Sequence, residues 1–373
     1  MQNLEIDLPG RHYPIRIGAG ILEAHLPAMV GNLARELVIV VTNDTLARLY
    51  PDKIEAALAK LPVKVETILI PDGEQYKTFD TLVGIYDKLM AFEANRHTVL
   101  IAFGGGVVGD IAGLAAATFM RGIPLVQVPT TLLAQVDSSI GGKTAVNHPQ
   151  GKNAVGVFKQ PQGVLAELEF LSTLPPRELR AGLFELIKHA IIADRDLYQY
   201  LEDRSDRFTS RDWDFWESAI ARSCRVKTRV VEQDEQEGGL RAVLNFGHTL
   251  GHLIETHTRY TAYLHGEAVG VGMLFAAFAS REWGLLPEEG FQRIRRMLEP
   301  LIAPVTLPPL DDDIFTHVLL HDKKSSAGAL RFIALRGLGD VFIREGTTPA
   351  ELWPLFERFM GAMPEVCRIA PVF

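Results

Sequence analysis

The stretch that decides the fold is "FGGGVVGD", residues 103–110, which follows the apolar run "TVLIA" at 98–102. The run 98–103 predicts a short buried strand, and the apolar, alanine-rich stretch 107–118 predicts a helix. Between them, Gly104, Gly106 and Gly109 have the spacing of the dinucleotide fingerprint G-x-G-x-x-G. This order leaves free backbone N–H groups at the helix start, where they stabilise a pyrophosphate. The stretch therefore predicts a dinucleotide-binding α/β unit.

Two observations keep a plainer interpretation of these glycines open. Any sharp turn from strand to helix favours glycine, because only glycine reaches positive φ without a steric cost. In addition, a dinucleotide-binding unit usually has an acidic residue about 20 residues after the glycines to hold the ribose. The segment "PLVQVPTT" at 124–131 contains no acid. If a dinucleotide binds, its ribose must be held from another part of the chain.

A second glycine-containing stretch, "SSIGGKTAVN" at 138–147, ends like a phosphate-binding P-loop. The first glycine of that motif would fall at Asp137, so the P-loop hypothesis fails. We expect these glycines to let the backbone approach a ligand closely. Asp137 and Lys143 are then polar groups that flank a tight turn.

Outward from the glycine loop, the chain up to about residue 160 alternates β-rich and helical runs, which predicts a parallel sheet covered by helices. Candidate strands are 36–41, 63–70, 98–103 and 124–129, with a helix at 78–92 and an N-terminal hairpin around Pro9-Gly10. Later segments are mostly helical, at 175–203, 212–233, 245–257, 265–283 and 288–299, with a small hairpin at 331–346. We predict an α/β Rossmann-like domain at 1–160 and a mostly α-helical domain at 161–373.

Composition excludes several classes of function. The 373 residues are 47% hydrophobic and 23% charged, with a net charge of −8, which argues against binding to nucleic acid. Two cysteines are too few for a disulfide framework and fit a reducing, cytoplasmic location. No apolar stretch approaches the roughly 18 residues of a membrane span, and the N-terminus lacks the pattern of a signal peptide.

The helical half contains a candidate metal site. His248 and His252 are four residues apart on one helix face, His265 begins the next helical run, and Glu185 lies within an apolar helix. One carboxylate and two imidazoles with an open position would hold a divalent ion. The order is not H-E-x-x-H, so a metalloprotease lacks its general base. Histidines of the core, hydrogen-bonded to backbone, remain the alternative.

Basic residues form a second group of candidates. Lys188 lies three residues after Glu185, so if Glu185 faces a metal, Lys188 faces it too. Surface lysines are the usual case, but a basic pocket in an acidic protein favours a small anionic substrate. The other members are Lys143, Lys152, Lys227, Arg241, Lys323 and Lys324.

Over nearly its whole length the chain resembles the 3-dehydroquinate synthase family. The motifs that carry the resemblance are "PDGEQYK", "GGGVVGD", "QVPTTLLAQVDSSIGGKTAVNHPQGKN", "TLPPRELRAGLFELIKH", "LNFGHTLGH", "LHGEAV" and "HDKK". The resemblance implies an NAD-binding domain, a helical metal domain with zinc or cobalt, and a homodimer. It also implies conversion of 3-deoxy-D-arabino-heptulosonate 7-phosphate to 3-dehydroquinate and phosphate in the shikimate pathway, by transient oxidation, phosphate elimination, re-reduction and aldol closure.

The resemblance also assigns roles by position. The implied metal ligands are Glu185, His248 and His265. The implied substrate residues are Asp137, Lys143, Asn153, Lys188, Lys227, Arg241, Asn245, His252, Lys323 and Lys324, with Arg121 reaching the neighbouring subunit's substrate. The implied NAD residues are Asn43, Asp44, Asp72, Gly73, Glu74, Gln75, Tyr76, Lys77, Gly106, Val107, Val108, Gly109, Asp110, Thr130, Thr131, Lys143, Lys152, Phe170, Leu171, Ser172 and Thr173, of which Asn43 and Asp44 would hold the ribose.

Three other functions stay open. Another sugar-phosphate cyclase, making an inosose or valiolone-like ring, would share the metal ligands and cofactor loop but usually alters the residues that contact carboxylate and phosphate. Here Lys188, Arg241 and Asn245 keep the dehydroquinate synthase identity. A metal-dependent polyol dehydrogenase would lack the dense basic set, and a non-catalytic descendant would have lost a ligand.

Overall fold

The computed structural model describes residues 1–322 and 330–370, which form two compact units. Unit 1 contains Met1–Pro175 and Thr209–Gln236, and unit 2 contains Pro176–Phe208 and Glu237–Phe373. The sequence predicted a boundary near residue 160, but unit 1 continues to Pro175 and takes in a later helix. The physical reason is that a further strand and that helix pack on the sheet of unit 1.

Unit 1 is built on a seven-stranded sheet in the order β1-β2-β9-β6-β5-β3-β4. Strands β1 and β2 form an antiparallel hairpin, and the remaining neighbours are parallel. The sheet strands are β1 Gln2–Leu8, β2 Arg11–Gly18, β3 Leu37–Asn43, β4 Lys64–Ile70, β5 Val99–Gly104, β6 Leu125–Pro129 and β9 Gly163–Glu167. A separate antiparallel hairpin consists of β7 Lys143–His148 and β8 Gly151–Phe158. The expected Rossmann-like fold is confirmed.

Helices cover both faces of this sheet. The helices of unit 1 are α1 Leu22–Gly31, α2 Asp44–Leu49, α3 Lys53–Leu58, α4 Phe79–Ala91, α5 Gly106–Thr118 and α8 Trp213–Gln233. Ile39 and Val41 of β3 pack with α4 and α5, whereas Val38 and Val40 pack with α1 and α3. Because side chains alternate along a strand, the fully apolar run of β3 supplies both cores. Helix α8 packs on β1 and β2.

Unit 2 is mostly helical, as the sequence predicted. Its helices are α6 Pro176–Ala193, α7 Arg195–Glu202, α9 His248–His257, α10 His265–Glu282, α11 Glu288–Leu298, α12 Asp312–Asp322 and α13 Pro349–Ala362. Its strands are β10 Val305–Leu307, β11 Leu330–Gly337, β12 Asp340–Thr347 and β13 Cys367–Ile369. The single helix expected at 175–203 is two helices, because the Asp194 carboxylate accepts from Leu197 N at 2.8 Å and starts α7.

Short turns of tighter or wider helix connect these elements. A π-helical turn runs Ala134–Ser138, and 3₁₀ turns run Glu74–Tyr76, Phe119–Arg121, Leu168–Ser172, Ser205–Arg207, Leu240–Asn245 and Glu299–Leu301. Among the described residues, none of the helices has the length and hydropathy needed to cross a membrane.

Candidate NAD and metal sites

Glycines on α10 bring three helices of unit 2 unusually close together. A methyl group on Gly266 would lie 2.0 Å from the carbonyl oxygen of Ala181 in α6. A methyl on Gly272 would lie 1.8 Å from the carbonyl oxygen of Gly247, just before α9. Both distances are far below van der Waals contact, so only glycine permits these backbones to meet. The close approach places side chains of α6, α9 and α10 in one cluster.

That cluster contains Glu185, His248 and His265. One ligand-type atom from each residue lies within 4.8 Å of the others. Glu185 is completely buried and its Oε1 has no hydrogen-bond partner among the described residues, while its Oε2 accepts from Lys188 Nζ. A buried carboxylate oxygen without a donor costs free energy unless a cation binds it. The donor set therefore fits a divalent ion of the zinc type.

His248 is prepared to bind through Nε2. Its Nδ1 lies 3.2 Å from the carbonyl oxygen of Phe246, and a carbonyl can only accept, so Nδ1 carries the hydrogen. Burial, followed by the positive charge of Lys188, holds the pKa of His248 well below its ordinary value of 6.5. The ring is therefore neutral near pH 7, with its Nε2 lone pair available to a metal.

The structure describes three of the five other residues of unit 2 that the resemblance assigns to the substrate. His252 belongs to the same aromatic cluster, with its ring centroid 5.3 Å from that of His248 and 6.3 Å from that of His265. His252 is not a member of the donor set formed by Glu185, His248 and His265. Arg241 is 2% exposed, and Asn245 donates from Nδ2 to Glu237 Oε1 at 3.1 Å. Lys323 and Lys324 lie outside the described residues.

In unit 1 the glycine loop leads directly from β5 into α5. Gly105 occupies the position before the helix, which has no side-chain hydrogen bond to its first amides. Gly104, Gly105, Gly106 and Gly109 all have φ outside the left-handed region. The interpretation that these glycines serve a left-handed turn is therefore wrong. Uncapped amides and the absence of side chains suit an anion at this helix end.

The strand order around this loop creates a crevice. From β3 the chain moves outward to β4, and it then returns to place β5 on the other side of β3. Ligands of open α/β sheets bind at such a switch point, beyond the carboxyl ends of the strands. Asn43 ends β3 here and donates to Asp72 Oδ1 at 2.8 Å, while Thr45 Oγ1 donates to Asp72 Oδ2 at 2.8 Å. Asp44 begins α2 beside them.

A hydrogen-bonded network joins the "PDGEQYK" segment to α5 and to the β7–β8 hairpin. Lys77 is 3% exposed, and its Nζ donates to the Asp110 carboxylate and, at 2.5 Å, to Asn153 Oδ1. Asn147 donates from Nδ2 to Glu74 Oε1 at 2.8 Å and accepts from Asn153 N at 2.9 Å. Burial raises the pKa of Asp110, and the Lys77 ammonium opposes that rise. The sequence alone does not predict a role for Asn147, since an asparagine in a strand carries no recognised motif.

The glycines of "SSIGGKTAVN" differ from those of the 104–109 loop in their φ angles. Gly141 and Gly142 have φ of 91° and 70°, so the backbone conformation itself favours glycine there, and the expected close approach to a ligand stays a prediction. Asp137 lies within the π-helical turn Ala134–Ser138, and its Oδ1 accepts a hydrogen bond from Lys227 Nζ at 2.6 Å. Lys143 is exposed at the start of β7, and Lys152 is half-buried in β8.

The remaining predicted cofactor residues surround the ends of β6 and β9. Thr130 N donates to Gly104 O at 3.0 Å, and Thr131 Oγ1 accepts from Ala134 N at 3.1 Å. The Phe170 ring is 2% exposed and packs against Phe103, with 5.3 Å between centroids. Its ring is therefore part of the core. The other predicted positions are Gly73, Gln75 and Tyr76 in the segment after β4, Val107 and Val108 in α5, and Leu171, Ser172 and Thr173 in the turn after β9.

Known proteins with the same two domains are similar to this chain. The N-terminal domain model of 3-dehydroquinate synthase matches residues 67–181, and the C-terminal domain model matches residues 182–325. A 2-deoxy-scyllo-inosose synthase in complex with carbaglucose-6-phosphate, NAD+ and Co2+ is 29% identical, with a TM-score of 0.86 over 96% of this chain and 99% of that chain.

Two further structures are informative. The 2-epi-5-epi-valiolone synthase of Streptomyces hygroscopicus subsp. jinggangensis, solved with NAD+ and Zn2+, is 29% identical, with a TM-score of 0.84 over 95% of this chain and 99% of that chain. An iron-containing alcohol dehydrogenase at 15% identity and a TM-score of 0.69, covering 96% of this chain and 99% of that chain, shares the fold alone. The chain belongs to the 3-dehydroquinate synthase family of sugar phosphate cyclases.

Proposed function

We propose that this enzyme is a 3-dehydroquinate synthase, which converts 3-deoxy-D-arabino-heptulosonate 7-phosphate to 3-dehydroquinate and phosphate in the shikimate pathway. The observation that carries the proposal is the buried ion pair of Lys188 with Glu185, a member of the candidate metal donor set. A buried cation beside such donors suits a substrate with a negative charge. A polyol has no such charge.

The proposed roles follow from the donor atoms available. Glu185, His248 and His265 would hold Zn2+ or Co2+, and the loop at 104–110 with Asn43, Asp72 and Lys77 would hold NAD. When bound, NAD+ accepts and returns a hydride, and the divalent ion lowers the pKa of a substrate hydroxyl. Lys188 and Arg241 would hold the phosphate and carboxylate, since charge-assisted hydrogen bonds to these groups are strong. Asp137, Lys227, Asn245 and His252 would orient the remaining polar groups.

Another cyclase of this family is the second candidate, because the 2-deoxy-scyllo-inosose synthase and the 2-epi-5-epi-valiolone synthase described above are each 29% identical to this chain. The test uses three substrates with the same enzyme: the heptulosonate 7-phosphate, glucose 6-phosphate, and a ketoheptose 7-phosphate without a carboxylate. We expect phosphate release and a carbocyclic product only with the first. Turnover of either other sugar at a higher kcat/KM would overturn the proposal in favour of the second candidate.

Cofactor turnover separates a cyclase from a dehydrogenase. Oxidation and re-reduction occur within one reaction, so NAD should be required but not consumed. With NAD substoichiometric to substrate, we expect many phosphates released for each NAD present. Accumulation of one NADH per product, followed by absorbance, would instead indicate a polyol dehydrogenase.

Metal content tests the proposed ligands directly. His248→Ala should lose the ion because it removes one donor of three, whereas His252→Ala should keep it. Elemental analysis of the two purified variants gives the answer. Equal metal loss in both variants, or retention in His248→Ala, would count against the assignment.

We also propose that the enzyme acts as a homodimer in which Arg121 reaches the partner's substrate. Arg121 is exposed and has φ 64°, between Met120 at φ 49° and Gly122 at φ 121°. Consecutive residues in this region store strain, which favours a functional constraint. A methyl on Gly122 would lie 3.8 Å from Lys159 Nζ, beside β8.

The strand β8 supports a partner at this surface. In the sheets of the described residues β8 pairs with β7 in a two-stranded sheet, and its Val155, Val157 and Phe158 are 41–42% exposed. Exposed apolar strand edges are normally covered. Mixing inactive Arg121→Ala chains with inactive Lys188→Ala chains should restore activity, because one site of the mixed dimer would have every group. No recovery despite demonstrated subunit exchange would refute the shared site.

A further inference from the structure

We propose that Glu255 is a positioning residue, which fixes the ring of His265 and adds a negative charge beside the metal donor set. This inference rests on the metal site of the proposed function. Glu255 lies on α9, seven residues after His248, and is 2% exposed. Its Oε2 lies 3.0 Å from His265 Nδ1. An ionised carboxylate only accepts, so this contact puts the hydrogen on Nδ1.

The consequence appears at the other side of the ring. With Nδ1 donating to Glu255, the lone pair of His265 resides on Nε2, which lies 3.7 Å from Glu185 Oε1. That oxygen is the one without a hydrogen-bond partner among the described residues. Each of the three donor residues thus has one polar atom on a protein partner. The protein partners are Lys188 for Glu185, the Phe246 carbonyl for His248, and Glu255 for His265.

The two histidines are supported unequally, and this difference gives Glu255 a distinct task. Both histidines begin their helices, but His248 is 8% exposed and bonds to a neutral carbonyl, whereas the side chain of His265 is 29% exposed. Because it is less buried, the ring of His265 has less packing to fix its orientation. A carboxylate partner fixes the ring more strongly than a carbonyl does and makes the imidazole a more basic ligand.

Charge balance points the same way. Glu185 and Lys188 neutralise each other, so a divalent ion bound there would retain its full charge in a largely buried cluster. Glu255 reduces that local charge by one. An unbalanced charge away from water is costly. Removing the carboxylate should therefore lower the affinity of the site for the divalent ion, even where the hydrogen bond to His265 survives.

The experiment measures metal binding in the whole chain without the reaction. Glu255→Gln keeps the shape and an accepting oxygen but removes the charge, and Glu255→Ala removes both. Partners of metal-ligating histidines typically contribute about 10- to 100-fold to metal affinity. We expect Co2+ affinity, measured by chelator competition, to fall about tenfold in Glu255→Gln and toward 100-fold in Glu255→Ala. The visible absorption bands of bound Co2+ should also shift, because the ligand field changes.

Ser280→Ala is the matched control. Ser280 is completely buried on the same helix as His265, where its hydroxyl donates to Ala276 O at 2.7 Å and accepts from Leu335 N at 3.1 Å. This variant should lower thermal stability but leave Co2+ affinity and spectrum unchanged. Wild-type affinity and spectrum in both Glu255 variants would overturn the proposal, as would a loss of affinity equal to that of Ser280→Ala at matched stability. A wild-type chain that binds no Co2+ would overturn the metal site itself, whereas a failure to turn over the heptulosonate phosphate would leave this result standing.

Discussion

The two units differ in what surrounds their glycines. In unit 1, methyl groups on Gly105 and Gly106 would meet side-chain atoms, Thr131 Cγ2 at 3.0 Å and Ser138 Oγ at 3.2 Å. In unit 2, methyls on Gly266 and Gly272 would meet backbone oxygens at 2.0 and 1.8 Å. A side chain can move by a few tenths of an ångström, but the backbone of a packed helix cannot. Gly266 and Gly272 of α10 are therefore required by folding, whereas Gly105 and Gly106 are not excluded from carrying a side chain by the backbone around them, and we expect their absence of side chains to serve a ligand.

The largest expected effect is that of Gly272→Ala. Because the new methyl would overlap the Gly247 carbonyl, α9 and α10 must separate, at a cost of about 3 kcal/mol or more. Thermal unfolding and metal content of the purified variant measure both consequences, and we expect a large loss of each. Gly361→Ala in α13 is the control, since nothing lies within 4 Å of a methyl there. Wild-type stability in Gly272→Ala would show that the two helices are not in contact at this point.

Each unit contains a buried cysteine whose alkylation measures the unfolding of that unit. Cys224 in α8 and Cys367 in β13 are both fully buried, and burial raises the pKa of each from 9.0 to about 12. Since the thiolate is the reactive form, neither should be alkylated by iodoacetamide at pH 8 in the folded protein. In Gly272→Ala we expect labelling of Cys367 at a rate that approaches that of the unfolded chain, and continued protection of Cys224. Peptide mapping distinguishes the two, and equal labelling would show that the units unfold together.

The sign of the pH dependence follows from these raised values. A folded state that holds a thiol proton more tightly than the unfolded state is stabilised below the ordinary thiol pKa. That stabilisation is lost as the pH rises from 9.0 through about 12. We therefore expect wild-type stability to fall over this window, and Cys224→Ala with Cys367→Ala to reduce the slope. An unchanged slope in the double variant would assign the alkaline loss to other groups.

A smaller effect is expected at the glycine loop. Gly106→Ala adds a methyl group at the first residue of α5, 3.2 Å from Ser138 Oγ, where the flexible hydroxyl can move aside. We expect stability close to wild type but an NAD dissociation constant raised about tenfold or more, which corresponds to about 1.4 kcal/mol. Titration by intrinsic fluorescence or calorimetry measures the affinity, and metal content should not change. A loss of stability as large as that of Gly272→Ala would remove the distinction between the two sets of glycines.

The sequence predicted most of the secondary structure of unit 1 because its strands are short apolar runs bounded by turn residues. The expected strands at 36–41, 63–70, 98–103 and 124–129 correspond to β3, β4, β5 and β6. Strand β9 and the return of α8 to unit 1 were missed, since nothing local distinguishes a helix that packs on one unit from a helix that packs on another. Such assignments depend on contacts between residues far apart in the chain.

Candidate site residues can be proposed from the sequence where a motif carries the chemistry, but not where only the folded geometry brings the side chains together. The donor set of Glu185, His248 and His265 came first from residue types and helical spacing, while the choice between His248 and His252 came from the family resemblance. Glu255 and Asn147 have no motif, because each acts through a hydrogen bond to another side chain. Only the positions of α9, α10 and the β7–β8 hairpin reveal those bonds.

The smallest expected effect concerns a glycine of a third kind. Gly84 lies inside α4 and is exposed, and a methyl there would have no neighbour within 4 Å. Its φ is not in the left-handed region, so alanine fits the helix without strain. Alanine has less freedom than glycine in the unfolded chain, and Gly84→Ala should therefore stabilise unit 1 by about 0.5–1 kcal/mol. Differential scanning calorimetry should show a rise in Tm of about 2 °C, with NAD affinity and metal content as in wild type. A fall in Tm would mean that Gly84 is covered in solution, and an interface on this face of α4 would then have to be sought.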